Sequence, residues 1–303
     1  MVLHRSKSWV LVKRWFFINI GIDIGGRHVG MALIDEKGKV YKKEIVDYSK
    51  DKSSDYILKV ISEYIKKHED EASSVGIGVP GIIKNNKIVY TCNLALEDPY
   101  FVRKIKTKLP VYLANDALCA TIAEYKLVDN CKYENYALIT LGTGIGSGLI
   151  FNGKVYEGKN GYAGEIGHTV IKKGGIQCNC GRKGCFEKYA SVSRLLEITK
   201  CKTISDLFTN METSSELAKL FDEYLEDLSE GLANFIMIND VDMLVIGGSL
   251  AWFGDKFYYI LRAKIAEKLF NRETNDVKLK FAKLGNNAGL IGAAFLASVW
   301  WLI

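Results

Sequence analysis

Four residues with metal-binding side chains lie close together in the second half of the chain. They are His168, Cys178, Cys180 and Cys185. One histidine and three cysteines form a closed tetrahedral set for Zn²⁺, which is typical of a structural site. The surrounding segment, 172–183, is polar and glycine-rich and does not resemble a core element with free thiols. A redox pair of Cys178 and Cys180 is the weaker alternative, because C-x-C lacks the C-x-x-C spacing.

Two carboxylates flank this cluster. Glu165 lies three residues before His168, and Glu187 lies two residues after Cys185. Glycines on both sides of Glu165 indicate a tightly placed backbone. A loop held by zinc would direct both carboxylates towards a ligand rich in hydroxyl groups. The alternative is that both are ordinary solvated glutamates.

A further carboxylate, Asp116, follows Asn115 at the end of the apolar segment 111–114. The end of a strand that opens into a cleft is the usual position of catalytic groups in α/β folds. A carboxylate that accepts a proton from a substrate hydroxyl suits phosphoryl transfer. Asparagine and aspartate are also the favoured helix N-caps, so from the residues alone capping is the stronger interpretation of Asp116. The two roles are compatible, because a helix N-terminus keeps a carboxylate ionised.

Glycine turns recur at matching places in the two halves of the chain, and they suggest phosphate binding. Glycine lets backbone N–H groups close around phosphate oxygens. Because the first two turns lead into a second strand, neither fits a Rossmann fingerprint or a P-loop. A strand–turn–strand phosphate clip fits, with Asp23 able to hold a water of Mg²⁺; two ordinary hairpins are the alternative. The residues concerned are Asp23, Gly25, Gly26, Gly142, Thr143, Gly144, Gly247 and Gly248.

Each half of the chain is predicted to run strand, glycine turn, strand, and then to alternate helices and strands. This repetition predicts two related α/β lobes with a cleft between them. The second turn is predicted over Gly142–Gly148, with a strand returning over Leu149–Phe151. The last helix, from Ala288, is predicted to cross back to the first lobe. The predicted domains are an N-terminal extension (1–16), a small lobe (17–117 with 288–303) and a large lobe with the zinc loop (118–287).

Composition excludes several classes of protein. The chain has 303 residues, of which 48% are hydrophobic and 25% charged, so it can form a sizeable core. The net charge is only +6, and no Lys/Arg run is dense enough to predict a nucleic-acid partner. The sequence contains no uncharged apolar stretch of about 18 residues, so no membrane span is predicted. The seven cysteines are odd in number and four of them are scattered through apparent core elements, which favours a reducing compartment, so we expect a cytoplasmic protein. Residues 1–16 are basic and read as an extension; a membrane-touching segment is the alternative.

Taken in their order along the chain, these motifs resemble those of the ROK family of sugar kinases and sugar-responsive repressors. The resemblance runs from about Ile18 to the C-terminus. It implies two ribonuclease-H-like (actin-like ATPase) lobes, in agreement with the repeated pattern. The strongest motifs are Leu113-Ala-Asn-Asp-Ala117, Thr140-Leu-Gly-Thr-Gly-Ile-Gly146, Gly161-Tyr-Ala-Gly-Glu-Ile-Gly-His168 and Cys178-x-Cys180-Gly-x-x-Gly-Cys185-x-Glu187.

The resemblance implies a role for each matched position. Asp116 would be the general base on the sugar hydroxyl. The turn at Gly25 and Gly26 after Asp23 and the turn at Gly142, Thr143 and Gly144 would bind phosphates, and Gly247-Gly248 would face the adenosine. His168 would bind both sugar and zinc, so that the metal orients residues and does not activate water. The implied sugar-binding residues are Asn115, Asp116, Glu165, His168, Glu187, Gly81 and Asn93.

The leading hypothesis is an ATP- and Mg²⁺-dependent hexokinase with structural zinc, phosphorylating glucose to glucose 6-phosphate. Alternatives are a kinase for fructose, mannose, N-acetylmannosamine or N-acetylglucosamine, or a non-catalytic sugar-binding relative. The last stays open because the family's first loop usually reads Asp-x-Gly-Gly-Thr-Lys, whereas Arg27-His28 stand here. Arg27 would substitute as a cation, or the nucleotide would bind less well or differ from ATP. A DNA-binding repressor needs a helix-turn-helix domain of several dozen residues before the first strand. Only about 16 residues precede that strand in this sequence, which disfavours a repressor. Relatives commonly form dimers or tetramers, so we expect a homo-oligomer.

Overall fold

The computed structural model describes residues 18–51, 53–91, 94, 96, 98–250, 254–270 and 278–299. The predicted extension 1–16 and the predicted sugar ligand Asn93 lie outside these residues. The strands are β1 (Asn19–Ile24), β2 (His28–Ile34), β3 (Val40–Asp47), β4 (Val75–Val79), β5 (Ile82–Lys84), β6 (Lys87–Tyr90), β7 (Val111–Asn115), β8 (Tyr136–Leu141), β9 (Ile145–Phe151), β10 (Lys154–Val155), β11 (Met243–Gly248) and β12 (Lys278–Phe281). The helices are α1 (Ser54–His68), α2 (Asp116–Ala123), α3 (Glu187–Ala190), α4 (Val192–Thr199), α5 (Ile204–Met211), α6 (Ser215–Asn239), α7 (Gly254–Lys268) and α8 (Ala288–Val299).

The first sheet has the strand order β3-β2-β1-β4-β7, with β1 antiparallel to β2 and parallel to β4. Alternate residues of β1 divide between its two faces. Ile20, Ile22 and Ile24 are fully buried in the core that includes apolar residues of α1. The other face lies against α8, where a side chain at Gly21 would meet the backbone of Leu290. The sequence of β1 therefore sets which helix covers which face of the sheet.

The second sheet repeats this arrangement, with the order β10-β9-β8-β11-β12. Its β8–β9 pair is antiparallel, and its β8–β11 and β11–β12 pairs are parallel, as in the first sheet. The long helix α6 packs on this sheet through a buried stripe that includes Tyr224, Leu228 and Leu232. The predicted α/β architecture of two related lobes is confirmed.

Helices α2 and α8 cross between the two sheets in very close backbone contact. A Cβ atom on Gly292 of α8 would lie 1.7 Å from the carbonyl oxygen of Cys119 in α2. A Cβ on Gly76 of β4 would lie 1.7 Å from the carbonyl oxygen of Ala293, also in α8. The two glycines therefore let α2, α8 and the first sheet approach to backbone distance.

Replacing Gly292 by alanine is expected to destabilise the protein. Alanine is the better helix former by about 1 kcal/mol, but overpacking against a fixed carbonyl costs about 1–3 kcal/mol or more, so the clash dominates. The melting temperature of Gly292→Ala should fall below that of the wild type. Gly26→Ala is the control, because a Cβ at Gly26 meets no atom within 4 Å. An unchanged melting temperature for Gly292→Ala would contradict the proposed contact.

One strand boundary and one hairpin differ from the sequence-based expectation. The predicted Gly142–Gly148 turn is wrong, because β9 already begins at Ile145 and contains Gly146 and Gly148. The close approach of α2 explains these strand glycines, since a Cβ at Gly148 would lie 2.2 Å from the hydroxyl oxygen of Thr121. The β5–β6 hairpin was not predicted.

The last helix contacts the first lobe, since its residues pack against Ala32 and Ile34 of β2 and against α2. The exact division into residues 17–117 with 288–303 and 118–287 stays a prediction. Among the described residues, no helix is long and apolar enough to cross a membrane.

Candidate active site

Helix α2 is capped by Asn115 and not by Asp116. The side-chain oxygen of Asn115 accepts a hydrogen bond from the backbone N–H of Leu118 at 3.0 Å, so Asn115 is the N-cap of α2. Its amide also donates to the carbonyl oxygen of Gly81 at 3.0 Å. The capping interpretation of Asp116 is therefore wrong. Asp116 occupies the first turn, where its Oδ1 accepts from the N–H of Ala117 at 2.8 Å.

A second carboxylate, Asp23, lies near Asp116: Asp23 belongs to β1 and Asp116 follows β7, and β4 lies between these two strands. A Cβ on Gly78, which lies between them, would be 3.6 Å from the Cα of Asp116 and 3.7 Å from Oδ1 of Asp23. Burial raises the pKa of Asp116, and it raises the pKa of Asp23 to about 7 with added repulsion from Asp116. Two carboxylates held this close favour a proton or a cation between them.

The first glycine turn is held by a tyrosine that sequence reasoning missed. The buried Tyr48 donates its hydroxyl to the carbonyl oxygen of Gly25. The backbone N–H of Tyr48 donates to the carbonyl oxygen of Arg27 at 2.9 Å. The side chain of Arg27 is exposed, and His28 lies 3.3 Å from a carboxylate oxygen of Asp47. No local pattern marks Tyr48, because it follows the turn by more than 20 residues.

The second turn and the third glycine pair lie at adjacent strand ends. The N–H of Gly142 donates to the carbonyl oxygen of Gly144 at 3.0 Å, which closes the turn around the exposed Thr143. Gly248 pairs with Leu141, so Gly247 and Gly248 lie beside the start of this turn. The structure thus brings the second predicted phosphate turn and the predicted adenosine glycines together.

One cluster of polar side chains consists of Glu165, His168 and Glu187. Glu165 lies 3.9 Å from Nε2 of His168, and Glu187 lies 3.7 Å from Nδ1 of the same ring. Burial raises the pKa of Glu165, and the charges of Asp116 and Glu187 raise it further, while His168 opposes them. A Cβ on Gly144 would lie 2.7 Å from Oε2 of Glu187, which places that carboxylate beside the second turn.

His168 and the three cysteines fit a zinc ion. Their ligand atoms all lie within 4.8 Å of one another, and the sulfurs of Cys180 and Cys185 are 3.6 Å apart. Two sulfurs on one tetrahedral Zn²⁺ lie about 3.8 Å apart, so the spacing suits the ion. The Nδ1 atom of His168 faces the cysteines, 3.7 Å from the sulfur of Cys178, while Nε2 faces Glu165. The left-handed backbone of Gly184 (φ 84°) allows the turn before Cys185.

A cavity between the lobes contains part of the predicted sugar site. It is lined by residues of both lobes, among them Ile83, Asn115, Ser147, Glu157 and Glu165. Gly81 joins this region through its carbonyl, which accepts the amide of Asn115. The polar groups from four separate segments therefore converge where the lobes meet.

The fold and this convergence define a two-lobed α/β protein of the actin-like ATPase type with a polar cleft between its lobes. Residues 19–299 match the ROK family, and the chain belongs to that family. It is 31% identical to a glucokinase from Halalkalibacterium halodurans over 93% of this chain and 94% of that one. It is 27% identical to a xylose repressor from Caldicellulosiruptor bescii, over 90% of this chain and 76% of the repressor.

A solved structure of a ROK family glucokinase from Streptomyces griseus in complex with glucose and AMPPNP is also similar. The two chains are 25% identical and superpose with a TM-score of 0.80, covering 92% of this chain and 98% of that one. The family resemblance and the fold predicted from the motifs are thus confirmed.

Proposed function

We propose that the protein is an ATP-dependent hexose kinase that transfers the γ-phosphoryl group to a hydroxyl of glucose. The observation that carries the proposal is the carboxylate of Asp116 in the first turn of α2, which does not serve as the N-cap because Asn115 caps that helix. The glucokinase relative and the glucose- and AMPPNP-bound neighbour support the choice of substrates.

The residues of the cleft suit the steps of such a transfer. Asp116 would accept the proton of the sugar hydroxyl while the hydroxyl oxygen attacks the γ-phosphorus of ATP, and ADP would leave. Asn115, Glu165, His168 and Glu187 would orient the sugar through its other hydroxyl groups, with Gly81 and Asn93 as further pocket positions. The backbone N–H groups of the two glycine turns would stabilise the charge on the transferring phosphoryl group.

The metal ions implied by the proposal have separate positions. Asp23, with its partly buried carboxylate beside Asp116, would hold a water of the Mg²⁺ that accompanies ATP. His168, Cys178, Cys180 and Cys185 would hold Zn²⁺, which supplies structural order to this loop. Glu187 and His168 would then be fixed in direction before the sugar arrives.

A panel of sugars tests the proposal directly. ADP release should depend on sugar when zinc-loaded protein is mixed with MgATP and glucose, mannose, fructose, glucosamine, N-acetylglucosamine or N-acetylmannosamine. Glucose should give the highest kcat/KM. Absence of sugar-dependent turnover with every member of the panel would refute the kinase.

A sugar-binding protein without kinase activity is the second candidate. It is favoured by the similarity to a xylose repressor and by Arg27-His28 in the first turn, where the family usually has a threonine and a lysine. Titration calorimetry separates the two candidates, because a silent binder would bind a sugar from the panel and release no ADP. The predicted homo-oligomer is tested by the mass of the protein in solution.

The pH dependence of the reaction should report the buried base. Because only ionised Asp116 accepts a proton and burial raises its pKa, kcat should fall with decreasing pH at a midpoint above 3.8, the ordinary aspartate value. The measurement is a pH–rate profile at saturating substrates, with folding checked by circular dichroism. A midpoint at or below 3.8 in folded protein would contradict the assignment.

A further inference from the structure

An ion pair joins the two lobes at the edge of the cavity described above. The Nζ atom of Lys84 lies 3.0 Å from Oε2 of Glu157 and donates to the carbonyl oxygen of Gly158 at 2.9 Å. The two side chains are only 25% and 10% exposed, so solvent screens the pair less than it screens surface pairs. Glu157 also lines the cavity together with Asn115 and Glu165.

Lys84 projects from a hairpin that is fixed to the first lobe. Asn85 and Asn86, both with positive φ, form the two-residue turn between β5 and β6. The amide of Asn86 donates to the carbonyl oxygen of Val111 on β7 at 2.9 Å. Ile83 and Ile88 are buried in the core of the first lobe. The backbone of the hairpin that carries Lys84 is therefore held in place by the first lobe.

Glu157 begins the loop that leads to Glu165, and this loop belongs to the second lobe. The N–H of Tyr156 donates to the carbonyl oxygen of Leu149 on β9, at 2.9 Å. Ser147, also on β9, donates its hydroxyl to the carbonyl oxygen of Gly164. The loop thus ties the ion pair at one end to the sugar-facing carboxylate at the other.

A second contact between the hairpin and the loop lies beside the ion pair. A Cβ on Gly161 would be 2.6 Å from the carbonyl oxygen of Ile83, so the two backbones touch. The left-handed conformation of Gly161 (φ 82°) also requires glycine. Both the polar and the backbone contacts therefore hold the loop against the hairpin.

We propose that Lys84 and Glu157 form an interlobe clasp that positions the loop of Glu165 and thereby sets the affinity for the sugar. The proposal rests on the hexose kinase function proposed above. The two residues are positioning residues, since they act through Glu165 and the cavity wall. The nucleotide turns lie on other segments, so the clasp should affect the sugar and leave ATP binding unchanged.

Kinetics of Lys84→Met and of the exchanged pair Lys84→Glu with Glu157→Lys test the clasp. Because hydrogen bonds to charged groups are the stronger kind, Lys84→Met should raise the KM for glucose about tenfold. Because the nucleotide turns lie on other segments, the kcat of Lys84→Met and its KM for ATP should stay within about twofold of the wild type. The exchanged pair should recover part of the loss, because it restores the ion pair but leaves the carbonyl oxygen of Gly158 without the donor that Lys84 provides.

Lys87→Met is the matched control, because Lys87 lies on the same hairpin and its Nζ is over the ring of Tyr100 instead of the cavity. An unchanged KM for glucose in Lys84→Met, an equal rise in Lys87→Met, or no recovery in the exchanged pair would overturn the clasp. Calorimetric Kd values for glucose without nucleotide separate this proposal from the kinase. A wild type that binds glucose without turnover would refute the kinase and still test the clasp.

Discussion

Replacing Asp116 by asparagine is expected to lower kcat about 10²- to 10⁴-fold, the usual contribution of a general base. Asparagine keeps the shape of the side chain but accepts no proton at neutral pH. Because Asn115 caps α2, the helix should remain intact in the variant. The KM for glucose should change little, since the other polar groups of the cleft are retained.

The measurement is steady-state ADP release, with the melting temperature as a check on folding. Asp55→Asn is the matched control, because Asp55 is also an aspartate in the first turn of a helix, α1, but its side chain is exposed. It should retain wild-type kcat. Retention of more than about a tenth of the wild-type kcat by Asp116→Asn would exclude Asp116 as the general base.

Replacing Cys180 by serine is expected to remove zinc and to weaken sugar binding. The wild type should contain about one zinc ion per chain, and the variant close to none, because three donors hold Zn²⁺ far less tightly than a closed set of four. Loss of the ion frees His168, which lies against Glu165 and Glu187. The KM for glucose should then rise about 10- to 100-fold, the range for residues that orient a site.

Zinc content is measured by elemental analysis of protein purified without chelator. Cys131→Ser is the control, since Cys131 is exposed and lies outside the cluster. It should keep both the metal and the KM. Wild-type zinc content in Cys180→Ser would show that the four residues do not form the site.

Much of the fold could be predicted because its signals are local. The apolar segments of β1, β4 and β7 and the spacing of the zinc ligands are visible in the sequence without knowledge of the partners. The Asn85-Asn86 turn was a usable signal for the β5–β6 hairpin, although the hairpin was not predicted.

The sequence-based predictions failed for two reasons: adjacent residues competed for one role, and some contacts join segments that are distant along the chain. Asn115 and Asp116 are both good N-caps, so only geometry could show which one closes the helix. Tyr48 and the Lys84–Glu157 pair act on segments more than 20 residues away along the chain. Such contacts depend on how the elements pack, and no periodicity or motif in either segment reports them.

The separation of the helix cap, Asn115, from the proposed base, Asp116, has an evolutionary consequence. Asn115 caps α2 and is hydrogen-bonded to Gly81 through its own side chain, so neither contact uses the side chain at position 116. With Asp116 as the proposed general base, a single codon change at position 116 would lower phosphoryl transfer about 10²- to 10⁴-fold and leave the fold of the ligand cleft intact. A lineage built on this scaffold could pass from catalyst to sugar sensor without crossing an unfolded intermediate, and a family that contains both kinases and repressors is the outcome such a scaffold permits.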